Sequence, residues 1–486
     1  MYFLVILVVF PGIGCTTNQN PSLREEHFNT DLKLPMLDPV SVGHEQELNL
    51  ESGRTLMIKT VAMRPPLFEI EHFLTDNECE HIKNIAKRRR WKQSHTLPED
   101  GFGSRVSEGD HQLNFQDTDT NTDGCVDFIE LWYARPPIQN ALITIDDIEE
   151  FIQLNEYDTD GDKKLTAGEF GKIDVKLMYK WMYDNMKADK RKKTRISDQV
   201  WVDHNSDELF DELKKRLVSL TGLSKKIVDL GEKMQIVHYD VGGHYHAHYD
   251  SEMIDNKQCI NTRLLDGVEE SVKLDFNKYR MCRYVTVMYY LNDVEEGGET
   301  AFPVADNVTF HRKYMAGNTI TDLSNHCEDA NVVVKPKKGK AVMWYNHVLN
   351  EDIGWIGDID VYSLHGGCDI KRGDKWIANH WLPVDTDEER QIQYMKMKQQ
   401  KKIFNDLTNK ENNILRLHHQ NTIRHHQETR RHSSQNMPKL TQEIVENFQD
   451  EQSRHKNILE GLGLNKERFE DQQKQKINQI NSKDEL

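Results

Sequence analysis

The spacing of apolar residues changes character along the chain, and each change marks a different kind of element. Tyr2 to Phe10 is an unbroken apolar run closed by Pro11 and Gly12. It is too short to cross a bilayer and has the form of a signal-peptide core, so 1–15 is expected to be a signal peptide. Residues 16–65 show no sustained period and are expected to be a linker. From 66 the stretch PLFEIEHFLTDNECEHIKNIAKRRRWKQSH turns from strand-like to helical. Thr75 and Glu78 make a Thr-x-x-Glu capping box, and Ile82, Ile85 and Ala86 follow at helical spacing. Residues 66–110 therefore read as the lead into a folded domain, and 111–186 as helices around two acidic loops. Across 187–385, short apolar runs such as MQIVHYDVGG, RYVTVMYYLNDVEEGGETAFP, GKAVMWYNH, SLHGGCDI and KWIANHWL alternate with Gly and Asn turns. Many short strands without a βαβ rhythm predict a jelly-roll or barrel. Residues 386–486 are rich in Gln, Asn, Lys and His, with scattered Ile, Leu and Met, and predict a polar, partly helical tail. The expected class is α+β: a jelly-roll core with flanking helices and an inserted all-α pair of helix–loop–helix units.

Composition fits that division. Of 486 residues, 37% are hydrophobic and 29% charged, as for a folded body with polar appendages. The formal net charge of −17 argues against a nucleic-acid partner. The last four residues are Lys483-Asp484-Glu485-Leu486, the endoplasmic-reticulum retention address. With the apolar leader they predict a protein of the reticulum lumen, with membrane anchoring less expected. Of seven cysteines, Cys15 falls at the expected cleavage point, and Cys259, Cys282, Cys327 and Cys368 cluster in the core. In an oxidising lumen these four can form two disulfides in three pairings; buried free thiols are the alternative. Asn307-Val308-Thr309 is a glycosylation sequon, expected on an exposed loop. The pairs His418-His419 and His425-His426 read as exposed polar helix rather than metal ligands.

The acidic loops carry a specific pattern. DTNTDGCVDFIE, residues 119–130, matches the twelve-residue EF-hand loop. Asp119, Asn121 and Asp123 stand at positions 1, 3 and 5, Gly124 at the tight turn, Cys125 at 7 with its carbonyl, and Glu130 at 12 as bidentate ligand. DTDGDKKLTAGE, residues 158–169, offers Asp158, Asp160, Asp162, the carbonyl of Lys164 and Glu169. Lys163 stands where glycine normally relieves a strained turn, so this loop is expected to bind calcium more weakly. Pro136-Pro137 ends the helix leaving the first loop, and Phe170, Ile173, Leu177, Met178 and Trp181 form an apolar stripe after the second.

GGHYHAHYDSE, residues 242–252, places His244, His246, His248 and Asp250 at alternate positions. On a regular strand all four face one way, about 6.6 Å apart, with Tyr245, Ala247 and Tyr249 facing the other. His248-x-Asp250 is two-thirds of a two-histidine, one-carboxylate iron site, and His365 in YSLHGGC is the best candidate for the third ligand. His246-x-His248 is equally a zinc-like pair, so pattern alone leaves iron and zinc open. In the strand after the Lys371–Asp374 turn, Lys375, Ile377 and Asn379 share a face. If that face is inward, Lys375 is a buried ammonium that requires an anion. His380, Trp376 and Trp381 read as strand-face or core residues, with one tryptophan available to line a pocket.

HYHAHYDS, RYVTVMYYLNDVEEGGETAFPVADN and YSLHGGCDIKRGDKWIANHW resemble the 2-oxoglutarate-dependent prolyl 4-hydroxylases. KTRISDQVWV (193–202) and LVSLTGL (217–223) resemble the usual lead into that core. The resemblance covers about 66–385. Within the family it is nearest to the reticulum members that carry EF-hands and are named for a membrane span, although the apolar N-terminal segment here is shorter. It implies a double-stranded β-helix dioxygenase with His248, Asp250 and His365 on iron. Lys375, ten residues after the distal histidine, would hold the far carboxylate of 2-oxoglutarate, and Tyr239 in IVHYDVGG would also contact that cosubstrate. It implies Fe(II), 2-oxoglutarate, O₂ and ascorbate as cofactors. The reaction implied is oxygenation of peptidyl proline at C4, as in the procollagen-proline type. His244 and His246 become neighbours of the chemistry. A rival reading, a non-enzymatic calcium-binding protein of the lumen, accounts for the acidic charge and paired loops but leaves Lys375 and the triad without a task. A hydroxylase of another residue type is the third reading, and the substrate polypeptide is open.

Overall fold

The computed structural model describes residues 33–94, 113–135, 141–204, 206–251, 259, 280–311, 315 and 320–398. The expected signal peptide, Pro136-Pro137, the histidine pairs beyond 417 and the C-terminal tetrapeptide lie outside them. Two antiparallel sheets face each other across the site. The larger has nine strands in the order β1 (Glu45–Asn49), β2 (Thr55–Ala62), β3 (Leu67–Ile70), β15 (Ala341–Tyr345), β11 (Met281–Tyr290), β20 (Lys375–Asp385), β9 (Met234–Tyr239), β8 (Asp198–Val202) and β4 (Lys92–Gln93). The smaller has five, in the order β14 (Val332–Val334), β13 (Thr300–Phe302), β18 (His365–Gly367), β10 (His244–His248) and β7 (Arg195–Ile196). Short pairs β12 (Glu296–Gly297) with β19 (Ile370–Arg372), and β16 (His347–Asn350) with β17 (Trp355–Ile359), close the edges. This is the jelly-roll expected from the strand pattern.

β11 and β20 are the paired central strands, and nearly every residue on both is buried. A strand buried on both faces reads as a continuous apolar run, which RYVTVMYY does. One face meets the small sheet through a core of Val237, Met288, Tyr290, Phe302, Trp344 and Ile377. The other carries helices α1 (Asp76–Lys87), α7 (Glu208–Thr221) and α8 (Lys225–Val228). The Phe73 ring stacks on Tyr289 at 5.6 Å, and Arg216 of α7 forms an ion pair with Glu78 of α1. The capping box at Thr75 and Glu78 is formed as expected.

The expected linker over 16–65 is corrected: 45–62 supplies β1 and β2, which extend the large sheet. β2 alternates exposed and buried positions, burying Leu56, Ile58 and Thr60, but its outward residues are polar or isolated, so the short period was diluted. The tail boundary also shifts. Residues 388–398 are helical, Tyr394 and Met395 are buried, and Gln391 accepts from the Asp385 amide. The four clustered cysteines pair as Cys259–Cys282 and Cys327–Cys368. Val308 of the sequon is exposed.

The insert holds α2 (Phe115–Thr118), α3 (Phe128–Ala134), α4 (Ile145–Leu154), α5 (Ala167–Phe170) and α6 (Val175–Ala188) around one apolar cluster that includes Leu131, Phe151, Leu165 and Met182. It is not purely helical: β5 (Cys125–Asp127) pairs with β6 (Lys164–Thr166) between the loops. The helix after the second loop breaks at Gly171, so the buried stripe of α6 is Met178, Met182 and Met186, and Leu177 is exposed.

His204 and His380 stack at 4.4 Å under the large sheet. Neither ring nitrogen of His380, nor Nδ1 of His204, has a partner among the described residues. Burial pushes both rings below the ordinary histidine value, and burial pushes His347 down to about 4. Unfolded histidines take up protons near pH 6.5 while these folded ones do not, so stability is intact above pH 6.5 and lost as pH falls toward 4. Each group costs up to about 1.4 kcal/mol per pH unit in that window. The melting temperature is expected to drop across pH 6.5 to 5, and His380→Phe to flatten that drop; an unchanged slope would assign the loss to other groups.

Candidate metal and cosubstrate site

A cavity of about 130 Å³ opens between the sheets, lined by both. The small sheet contributes Tyr245, His248 and His365, with His248 opposite His365 in the β10–β18 ladder. Asp250 follows β10 directly. The large sheet contributes Lys375, Ile377, Asn379 and Trp381 from β20, so the alternation read from the sequence is inward-facing.

His248, Asp250 and His365 each bring one donor atom within 4.8 Å of the others. Asp250 Oδ1 lies 3.7 Å from His248 Nε2, and Oδ2 lies 3.6 Å from His365 Nε2. Both histidines are oriented by their other nitrogen: His248 Nδ1 donates to the His246 carbonyl at 2.9 Å, and His365 Nδ1 to the Ser363 carbonyl at 2.8 Å. A carbonyl only accepts, so Nδ1 carries the proton and each Nε2 lone pair faces the shared point. Burial pushes His365 down to about 4, which keeps it a neutral donor at pH 7. Burial alone would raise the Asp250 carboxyl, but His365, His248 and Arg283 outweigh it and hold it below the usual carboxylate range. Thr286 Oγ1 and Trp381 Nε1 donate to Asp250 Oδ2 at 2.8 and 2.9 Å. Two imidazoles oriented through Nδ1 and one carboxylate fit Fe(II).

Lys375 is 2% exposed and has no carboxylate or carbonyl partner among the described residues. The rings of Tyr239 and Tyr290 stand 5.6 Å from its Nζ. Burial pushes its ammonium down to about 7 against the opposing pull of Glu299. Tyr239 also lines the cavity, beside Lys375 in the β9–β20 register.

One expectation fails. The four alternate positions of GGHYHAHYDSE do not share a face, because the β10–β18 register shifts between Tyr245 and His248. That bulge turns Tyr245 and Tyr249 into the cavity and His244 and His246 away. Tyr245 stacks on His248 at 3.6 Å. His244 Nε2 donates to the Lys193 carbonyl at 2.8 Å. His246 Nε2 donates to the Arg191 carbonyl at 2.6 Å, while its Nδ1 accepts from the Leu323 amide. The zinc-like pair His246-x-His248 is therefore split across the strand, and His244 and His246 fasten β10 to the chain leaving the insert. Gly366 allows the close approach of β18: a Cβ there would stand 2.5 Å from the Tyr245 carbonyl oxygen. His380 faces away from the cavity, stacked on His204.

Sequence reasoning missed Arg283, which forks onto Glu232, lies over the Trp381 ring at 3.6 Å and reaches the Asp250 carbonyl at 3.3 Å. It passed over Trp381 as a holder of Asp250, although the signal was there: Trp381 continues the series 375, 377, 379.

In the acidic loops, Asp158, Asp160 and Glu169 bring oxygens within 4.8 Å of one another. Glu130 Oε1 accepts from Thr120 N and Asn121 N, and Glu169 Oε1 from Thr159 N, so both position-12 carboxylates turn into their loops. Gly124 has φ 86 and Lys163 has φ 63, so the lysine does take the left-handed turn, at a cost of roughly 1–2 kcal/mol. Asp119, Asn121 and Asp123 are tied by amide hydrogen bonds within the first loop. Lys164 Nζ crosses to Asp123 Oδ2 at 2.8 Å.

The 2OG-Fe(II) oxygenase superfamily description matches residues 234–383. The chain is 38% identical over 366 residues to transmembrane prolyl 4-hydroxylase of Homo sapiens, covering 74% of this chain and 71% of that one. Its likeness to the Mus musculus protein of that name is 36% over 398 residues, covering 80% and 78%. Probable prolyl 4-hydroxylase 10 of Arabidopsis thaliana is 33% identical over 192 residues, or 40% of this chain and 55% of that one.

Proposed function

The chain belongs to the prolyl 4-hydroxylase family of 2-oxoglutarate- and Fe(II)-dependent oxygenases, and from that premise we propose that it hydroxylates C4 of proline in a polypeptide of the endoplasmic-reticulum lumen. The observation that carries this reading is the buried Lys375, which holds no carboxylate among the described residues, sharing a cavity with the His248, Asp250 and His365 cluster.

We assign His248, Asp250 and His365 as the ligands of Fe(II), which with 2-oxoglutarate and O₂ supplies the oxidant that replaces a proline C–H bond by C–OH. The protein's own part is placement. Nδ1 hydrogen bonds fix both imidazoles, and Thr286 and Trp381 fix the Asp250 carboxylate. Lys375 pairs with the far carboxylate of 2-oxoglutarate, repaying the desolvation of its ammonium, and Tyr239 flanks it. Tyr245, Tyr249 and Trp381 give the substrate ring apolar walls that exclude water. Ascorbate would return enzyme oxidised in uncoupled cycles to the active state. Purified chain given Fe(II), 2-oxoglutarate, O₂ and a proline-containing peptide should yield succinate and 4-hydroxyproline together; 2-oxoglutarate turnover without any proline product would move the reading to another residue type.

The two acidic loops are assigned to calcium on their ligand spacing, their mutual β5–β6 pairing and the inward Glu130 and Glu169 carboxylates. Glu130→Gln is expected to weaken calcium binding at the first loop at least about tenfold, because it removes the charge of the bidentate ligand and one of its two oxygen donors. Calorimetric titration that leaves the first site unchanged would remove that assignment. The lumen placement rests on the apolar leader and the terminal Lys-Asp-Glu-Leu. Among the described residues no helix is long and apolar enough to cross a membrane.

A further inference from the structure

The hydrogen bonds behind Asp250 form a chain whose direction can be read from end to end. It starts at Trp344, whose ring lies 4.5 Å from the His365 ring. An indole N–H only donates, and it donates to Asn346 Oδ1 at 2.9 Å. That turns Asn346 Nδ2 toward Thr286. An amide nitrogen only donates, so Thr286 Oγ1 accepts from it at 2.8 Å. The hydroxyl then has its own proton to give, and Asp250 Oδ2 stands 2.8 Å away. Trp381 Nε1 donates to the same oxygen at 2.9 Å. Two donors thus load Oδ2, while Oδ1 faces His248 Nε2 at 3.7 Å.

Asn346 is the bend between β15 and β16, and Thr286 lies opposite Trp344 in the β11–β15 ladder. A buried asparagine at a bend most often satisfies the local backbone. Here the backbone is satisfied without the side chain: Asn346 N donates to the Tyr284 carbonyl, and the Asn346 carbonyl accepts from Asp360 N, both at 2.9 Å. The side chain instead joins the wall behind one candidate ligand, His365, to the hydroxyl on another, Asp250. Asn346, Thr286 and Trp344 are all buried, so a lost partner is not replaced from bulk water. The next residue braces the same place. His347 Nδ1 donates to the Gly357 carbonyl at 3.0 Å, so Nε2 accepts from Ser251 Oγ at 2.6 Å. Adjacent residues at one bend therefore hold the adjacent residues Asp250 and Ser251.

We propose that Asn346 is a positioning residue for the metal site: its amide commits the Thr286 hydroxyl as a donor to Asp250 and ties that carboxylate to the wall behind His365. The inference rests on the assignment of His248, Asp250 and His365 to iron and is independent of the substrate. A hydroxyl proton rotates to suit its surroundings. With Nδ2 in place its acceptor side is occupied and the proton is aimed at Asp250; without Nδ2 that direction is lost. Outer partners of this kind are worth 10- to 100-fold in metal affinity, roughly, because they hold a ligand in its binding orientation.

The test measures anaerobic Fe(II) binding to the full-length chain by calorimetry, with excess calcium filling the acidic loops and His365→Ala as the blank. T286V should weaken binding about tenfold, and T286S, which keeps the hydroxyl, should bind as wild type does. N346A should match T286V because it acts through the same hydroxyl. T286V/N346A should then be no weaker than T286V alone, whereas independent contributions would multiply to about a hundredfold. N346S keeps a polar group but falls short of Thr286, and carries the same expectation if N346A does not fold. Melting temperatures without iron separate folding from binding. An Asn346 variant that melts earlier but binds iron as wild type does, or losses that multiply in the double variant, would overturn the proposal and leave Asn346 a purely structural residue. Wild type that binds iron no better than the blank would overturn the metal assignment and the proposal with it. Absent hydroxyproline with these affinities as expected supports the positioning role and faults the proline reading alone.

Discussion

Replacing His365 by alanine is expected to end 2-oxoglutarate turnover, with iron affinity falling by more than about 100-fold, since loss of even an outer hydrogen-bond partner of a ligand costs 10- to 100-fold. The residue is 5% exposed and its ring lies 4.5 Å from the Trp344 and His248 rings, and among the described residues only His248 and Asp250 share its donor cluster. His365→Gln fills more of the volume and serves as the folding control. Both variants should show the thermal transition of the wild type without added iron, and iron should raise it only in the wild type. Turnover that survives in His365→Ala would remove the metal site from the reaction.

Lys375→Ala is expected to separate cosubstrate from metal. A buried charge-assisted pair carries roughly 1.5–3 kcal/mol, so the 2-oxoglutarate requirement should rise about 10- to 100-fold while the iron requirement changes little. Equal effects on both would remove the assigned role. The ammonium adds a pH signature. Its value in the free protein lies near 7, and pairing with a carboxylate returns it toward the ordinary lysine range. Above pH 7 part of the lysine must be recharged for binding. Affinity for 2-oxoglutarate should then fall by up to about tenfold per pH unit, and should be flat in Lys375→Arg, whose guanidinium stays charged. Arginine reaches further and is shaped differently, so that variant is expected to bind weakly at every pH.

Particular residues show how far the sequence could be read. Strand character at β11, β15 and β20 was plain because those strands are buried on both faces and keep their apolar runs whole. β1 and β2 were read as linker, because they lie at an edge and half their positions face water. His248, Asp250 and His365 could be singled out as candidate donors by residue type, whereas the ten-residue spacing of Lys375 from the distal histidine carried meaning only through the family resemblance. Tyr245 was assigned to the wrong face, since alternation holds only for an unbroken ladder and a bulge leaves little trace in residue types.

The sequence by itself determined the inventory: which donors exist, that many short strands would form a jelly-roll or barrel, and that Lys375 would require an anion if its face turned inward. The tertiary structure decided which of those donors meet. The shift in β10 turned His244 and His246 outward to carbonyls at 193 and 191 and turned Tyr245 inward. Cross-strand pairing set His248 against His365. Local spacing specifies what a residue can do; only the register between strands distant in sequence specifies what it faces.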